Sequence, residues 1–120
     1  MYALSLLALL LPLAAANSHN RCDCMSWTQE TGWIHNADLT HWVCEVYYKE
    51  VHYNSRFDAS TGRCVVDGSW KIDGHTWETQ CKEEASSGYF RLDPTTGATI
   101  DVGKDLVKVG AAVGSCPDRG

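Results

Sequence analysis

Residues 38–51, DLTHWVCEVYYKEV, carry the strongest periodicity in this 120-residue chain. Leu39, Trp42, Val43, Val46 and Tyr47 recur at i, i+3, i+4, i+7 and i+8, which is one face of a helix. Asp38 is placed to cap its start by accepting a backbone N–H of the first turn. Cys44 falls about 140° round the helix from Leu39, at about 100° per residue. That puts it at the flank of the apolar stripe, where it can bridge to a neighbouring strand without displacing the core.

On either side of this helix the residues suit short strands. Ser26–His35 (SWTQETGWIH) is rich in Trp, Thr and Ile, with Gly32 as punctuation, and reads as one or two short strands. Asn54–Gly62 (NSRFDASTG) has turn composition and reads as a surface loop. Arg63–Val66 reads as a strand, with Asp67-Gly68 as a tight turn into Trp70-Lys71-Ile72. Asp73-Gly74 leads into a second helix, His75 to Glu84, with Trp77 and Cys81 on its buried side at i, i+4.

Tyr89–Val102 reads as a β-hairpin turning at Asp93-Pro94-Thr95-Thr96-Gly97, where Pro sets φ and Gly takes the positive-φ position. Leu106–Val113 is a last strand, or an ordered tail tethered by Cys116. The expected fold is α+β: a small disulfide-stapled domain with one or two short helices packed on a small antiparallel sheet.

The chain opens with an apolar run, Ala3 to Leu13, followed by Ala14-Ala15-Ala16. The run is short for a membrane span. With small residues at its end it reads as a signal peptide over residues 1–16, cut after Ala16. Residues 17–120 are then one cysteine-rich secreted, extracellular domain with no membrane span.

Six Cys remain: Cys22, Cys24, Cys44, Cys64, Cys81 and Cys116. An even count in a secreted chain reads as disulfides. A Cys22–Cys24 bond would close a strained ring, and sequence does not choose among the other pairings. The net charge of -5, with no basic run, argues against nucleic acid and anionic membrane surfaces as partners.

No nucleophile context such as G-x-S-x-G is present, and oxidised cysteines leave no thiolate. His52, Glu50 and Arg56 imitate the His and Glu of extracellular ribonucleases only poorly, because Glu50 and His52 close the helical pattern. The expectation is therefore a non-catalytic protein. His35, His41, His52 and His75 lack zinc-type spacing. A cut after Ala16 would expose Asn17-Ser18-His19. An amine, two amide nitrogens and an imidazole there would suit square-planar Cu(II).

Among the five Trp, Trp42 and Trp77 belong to buried helix faces. Trp27, Trp33 and Trp70 lie on strands or turns. As exposed aromatics they are the candidate binding residues, able to stack on sugars or anchor a protein interface.

The whole arrangement resembles the small secreted cysteine-rich proteins of filamentous fungi, many of them candidate effectors. The features that carry the likeness are the signal peptide, the Cys22-x-Cys24 pair, and the helix Asp38-Leu39-Thr40 with Val43-Cys44. The loop Thr61-Gly62-Arg63-Cys64 and the segment Ile72–Trp77 with Cys81 complete it, over about residues 1–82. Trp42-Val43-Cys44 also matches the aromatic-x-Cys tripeptide of ribonuclease-like powdery-mildew effectors. The resemblance implies virulence-type action on a host or competing microbe, by binding a protein or glycan. A carbohydrate-binding module for chitin or wall glycan and a degenerate ribonuclease-like effector are the alternatives.

Overall fold

The computed structural model describes residues 19–48, 55–67, 71–100 and 105–118. Strand β1 (Arg21–Thr28) is the central one. Its C-terminal half pairs antiparallel with β2 (Gly32–His35), and its N-terminal end pairs antiparallel with β4 (Arg63–Val66). β4 pairs in turn with β3 (Ser55–Asp58). The other edge of β1 takes β5 (Ala111–Asp118). Helices α1 (Ala37–Trp42) and α2 (Gly74–Ser87) pack on this five-stranded antiparallel sheet, which is the α+β, disulfide-stapled class expected.

Alternation along β1 separates two faces. Cys22, Cys24 and Ser26 are buried, whereas Met25 and Trp27 are progressively more exposed. The core joins Cys22, Cys24, Leu39, Val43, Ile72, Trp77, Ala85 and Tyr89. Trp77, Leu39 and Ile72 are fully buried, each contributing about 1.5–3 kcal/mol by leaving water. Trp77 Nε1 also donates to the Asp23 carbonyl at 2.9 Å, so its polar atom is satisfied inside the core.

Three disulfides hold this core: Cys22–Cys116, Cys24–Cys81 and Cys44–Cys64. Their sequence separations of 94, 57 and 20 correspond to about 5, 4 and 3 kcal/mol of restricted unfolded-chain entropy.

The first helix departs from expectation in three ways. Its N-cap is Asn36, not Asp38: Asn36 Oδ1 accepts from the Leu39 N–H at 2.9 Å. The same side chain donates to Ser26 Oγ and to the Tyr89 hydroxyl, both at 3.0 Å, and tertiary bonding thus selects it as the cap. After Trp42 the chain widens into a π-helical segment, Val43–Tyr48. Cys44 is fully buried rather than flanking, because the helix is covered on several sides. Thr40 Oγ1 accepts the Cys24 N–H of β1 at 2.8 Å, His41 stacks on Phe57 of β3, and Cys44 bonds Cys64 of β4. The bridge to a strand is as expected. Trp42 is half-buried, and its Nε1 donates to Glu84 of α2 at 2.8 Å.

Residues 55–58, expected in a loop, form β3, because β4 supplies a ladder partner for each of them. Ile72 was expected to extend the sheet after a turn at Asp67-Gly68. Instead it bridges to His19, and residues 68–70 lie outside the described set. α2 is capped by Asp73, whose carboxylate accepts from Thr76 N at 3.3 Å. Its buried side is Trp77, Cys81 and Ala85.

The segment after α2 turns at Pro94–Thr96 as expected, but among the described residues it holds only the bridge Leu92↔Thr99 rather than two strands, and Val102 lies outside them. Tyr89 pairs with Val107 instead. The last strand starts at Ala111, later than expected, because Val107 bridges to Tyr89 and the Val109 N–H goes to the Ala85 carbonyl of α2 rather than to β1. A Cβ on Gly114 would lie 2.8 Å from the Glu78 Cα of α2.

Candidate binding face

The exposed face of β1 and β2 holds two of the three expected binding residues. Trp27 and Trp33 are directly paired across the two strands. Directly opposed residues in an antiparallel pair project on the same side, with Cβ atoms about 4.5–5.5 Å apart. Both indoles remain open, 41% and 50% exposed. Two neighbouring large aromatics left that exposed form an apolar patch on this face. Trp70 lies outside the described residues.

The turn joining the strands keeps the pair in register. Thr31 N donates to Thr28 Oγ1 at 3.2 Å, and Thr31 Oγ1 donates to the Gly32 carbonyl at 2.8 Å. Gly32 takes φ +67°, a conformation that favours glycine.

Next along the same face the surface turns polar. Met25 pairs with His35, and Asp23 lies one alternation further along β1. Asp23 is buried, and its Oδ2 is 2.5 Å from His35 Nδ1. Arg63 Nε sits 3.7 Å from Asp23 Oδ1, a charge contact too long for a hydrogen bond. That oxygen accepts no hydrogen bond among the described residues. His35 and Arg63 are both more than a third exposed at their side chains. An aromatic pair thus grades into a cation and an imidazole anchored on one buried carboxylate. This arrangement can stack a flat apolar surface while offering hydrogen bonds at its margin.

Asp23, His35 and Arg63 were not singled out from the sequence. The available signals were Asp23 between two cysteines and His35 two positions from Trp33 on the same predicted strand. Neither indicates Arg63, which sits on β4 and is brought in by sheet pairing.

The six cysteines are all in disulfides. Of the N-terminal copper set, Asn17 and Ser18 lie outside the described residues. His19 is buried, its N–H donates to the Ile72 carbonyl at 3.0 Å, and its carbonyl accepts from Ile72 N at 2.7 Å. Square-planar coordination through the His19 amide nitrogen would have to break that bond. Among the described residues no three His, Cys, Asp or Glu side chains are grouped to hold a metal ion. Of the ribonuclease-like set, Glu50 and His52 lie outside the described residues, and Arg56 is exposed with its Nε 3.3 Å from Asp67 Oδ2. Among the described residues no helix is long and apolar enough to cross a membrane.

Comparison with protein-family models, with curated proteins and with solved structures found no match for this chain.

Proposed function

We propose that this is a secreted, effector-like, non-catalytic binding protein that engages a host or microbial macromolecule through its Trp27–Trp33 face. The observation that carries the reading is the direct cross-strand pairing of two indoles that both stay about half exposed. Leaving that much aromatic surface in water costs free energy that a bound partner recovers. The signal-peptide-like residues 1–16 and the three disulfides support an extracellular place of action. The likeness to fungal secreted cysteine-rich proteins supports the effector role.

A wall glycan is the second reading, favoured by the polar margin. Sugar C–H faces stack on indoles, and His35 and Arg63 stand ready to bond hydroxyls. Retention of the secreted protein on insoluble chitin and plant-wall polymers separates this reading from a protein target. Retention lost in Trp33→Ala and Trp27→Ala supports the glycan reading. No retention, with loss of a host extracellular protein partner in the same variants, supports the protein reading. Binding unchanged in both variants would remove this face from consideration.

A further inference from the structure

Among the described residues the sheet has β2, β3 and β5 as its outer strands, and two of these are closed off. α2 covers β5, where the Gly114 N–H donates to Glu78 Oε2 at 3.3 Å. Pro117 in the same strand has no N–H to offer. On β3 the His41 ring of α1 lies flat on Phe57, centroids 4.1 Å apart, and Arg56 and Asp58 add charges. Cover, proline and charge are the ordinary means by which proteins stop a sheet edge from adding another strand.

β2 has none of these among the described residues. Gly32, Trp33, Ile34 and His35 include no proline and no carboxylate, lysine or arginine, and the strand packs on β1. The ladder shows which backbone groups are left over. The Asn36 N–H donates to the Cys24 carbonyl at 2.9 Å, so that pair is a bonded one. Bonded and unbonded pairs alternate in an antiparallel ladder. Ser26↔Ile34 is then bonded, and Trp33 and His35 turn their N–H and C=O groups away from β1. No described residue takes up those groups. Successive side chains on a strand face opposite sides. Trp33 and Ile34, 50% and 44% exposed, thus offer apolar contact on both faces of this edge.

The charges around the edge bear on what pairs with it. Glu30 and Asp38 are exposed just beyond the two ends of β2. Neither makes an ion pair among the described residues. A second copy laid antiparallel here and centred on Ile34 would bring Glu30 of each chain toward Asp38 of the other. Each copy also carries a net charge of -5. Like charges across a strand pair destabilise it. The charges therefore select against self-pairing and for a cationic strand.

We propose that the free edge of β2 takes an extended segment of a partner protein, flanked by lysine or arginine, as an added strand. The proposal rests on the reading of this chain as a binder of another protein, and it specifies the form of that partner. Trp33 and His35 hydrogen-bond the added backbone, Ile34 meets an apolar side chain, and Glu30 and Asp38 attract the basic ends.

The test uses the whole secreted chain, isotope-labelled, and NMR of its backbone amides. The probe is a peptide of alternating valine and threonine with a lysine at each end. Its controls carry glutamate at each end, or lysine ends with the threonines or the valines N-methylated. Saturable shifts of the Trp33 and His35 amides with the lysine peptide, at a dissociation constant on the order of 1 mM, are expected. The glutamate peptide should bind about tenfold more weakly. An added strand turns every second N–H to β2, so one of the two methylations should abolish binding and the other should not. Ile34→Lys, an exposed position whose fold the same spectrum checks, should also lose the lysine peptide. Unshifted Trp33 and His35 amides, or equal effects of the two methylations, would overturn the proposal. So would a dimer in sedimentation that Ile34→Lys dissociates, which would give the edge to a second copy. Those failures would leave the Trp27–Trp33 reading standing, because retention and partner loss in Trp27→Ala judge it separately.

Discussion

The two faces of β1 place residues of one short strand under opposite demands. Cys22, Cys24 and Ser26 point into a core that two helices and three disulfides close. Asp23, Met25 and Trp27 alternate with them on the opposite face, where Trp27 meets Trp33. A thin domain stabilises one face by covalent links and tight packing, and that frees the other to keep aromatic surface in water. Substitutions among the buried residues should therefore cost stability, and those of the two open indoles should cost binding.

The largest effect is expected from removing Cys24–Cys81 in a C24A/C81A double variant. It should lose about 4 kcal/mol, read as a lower denaturant midpoint in guanidinium unfolding. A loss under about 1 kcal/mol would mean that the core does not depend on this link.

Asp23→Asn should come next, because the buried carboxylate holds His35 and Arg63. Both partners are partly in water, so the expected cost is only about 2 kcal/mol. The same unfolding curves measure it. An Asp23→Asn protein as stable as the parent would show that the polar margin of the face is not anchored from beneath.

A smaller effect is expected from pH, through His41. Above pH 6.5 the ring is neutral in both folded and unfolded chains and contributes nothing. As pH falls below 6.5 the unfolded chain takes up a proton that the folded chain, with its lowered pKa, resists. Stability should therefore decline from pH 6.5 down toward the folded value. That part of the slope should vanish in His41→Gln. A slope that survives the substitution assigns the decline to other groups.

The smallest effect on stability is expected at Trp33. Trp33→Ala removes a half-exposed edge residue and should cost no more than about 1 kcal/mol, mostly the cross-strand contact with Trp27. Binding should be lost all the same. A large fall in thermal midpoint for Trp33→Ala would recast the face as structural and erase the contrast.

Two turns show how much of the fold was legible. Asp58-Ala59-Ser60-Thr61-Gly62 and Asp93-Pro94-Thr95-Thr96-Gly97 follow one pattern. Gly62 and Gly97 take φ 73° and 74°, and each N–H bonds the carbonyl of its Asp at 2.8 and 2.7 Å. Hydrogen bonds from Ser60 and Thr61 hold the Asp58 carboxyl below the usual range, and those from Thr96 and Thr95 do the same for Asp93. These bonds are local, so the sequence reveals the turns. The flanking residues behave differently. Around the first turn four residue pairs form the β3–β4 ladder, and around the second, among the described residues, only Leu92↔Thr99 bridges. Strand formation depends on what the neighbouring chain offers, and composition does not report that. The candidate face divides the same way: Trp27 and Trp33 stood out as residue types, but Arg63 joins them only through sheet pairing.

Local interactions within a few residues were readable from the chain alone: two helices, the polar start of the second, the glycine turns and the need for disulfides. Contacts between distant segments were settled only on folding. They include which cysteines join, the capture of the capping role by Asn36, the place of the last strand against α2, and the meeting of two indoles on one face. The reason is physical: backbone sterics and short-range hydrogen bonds act within a turn, whereas packing selects among distant partners by shape and burial.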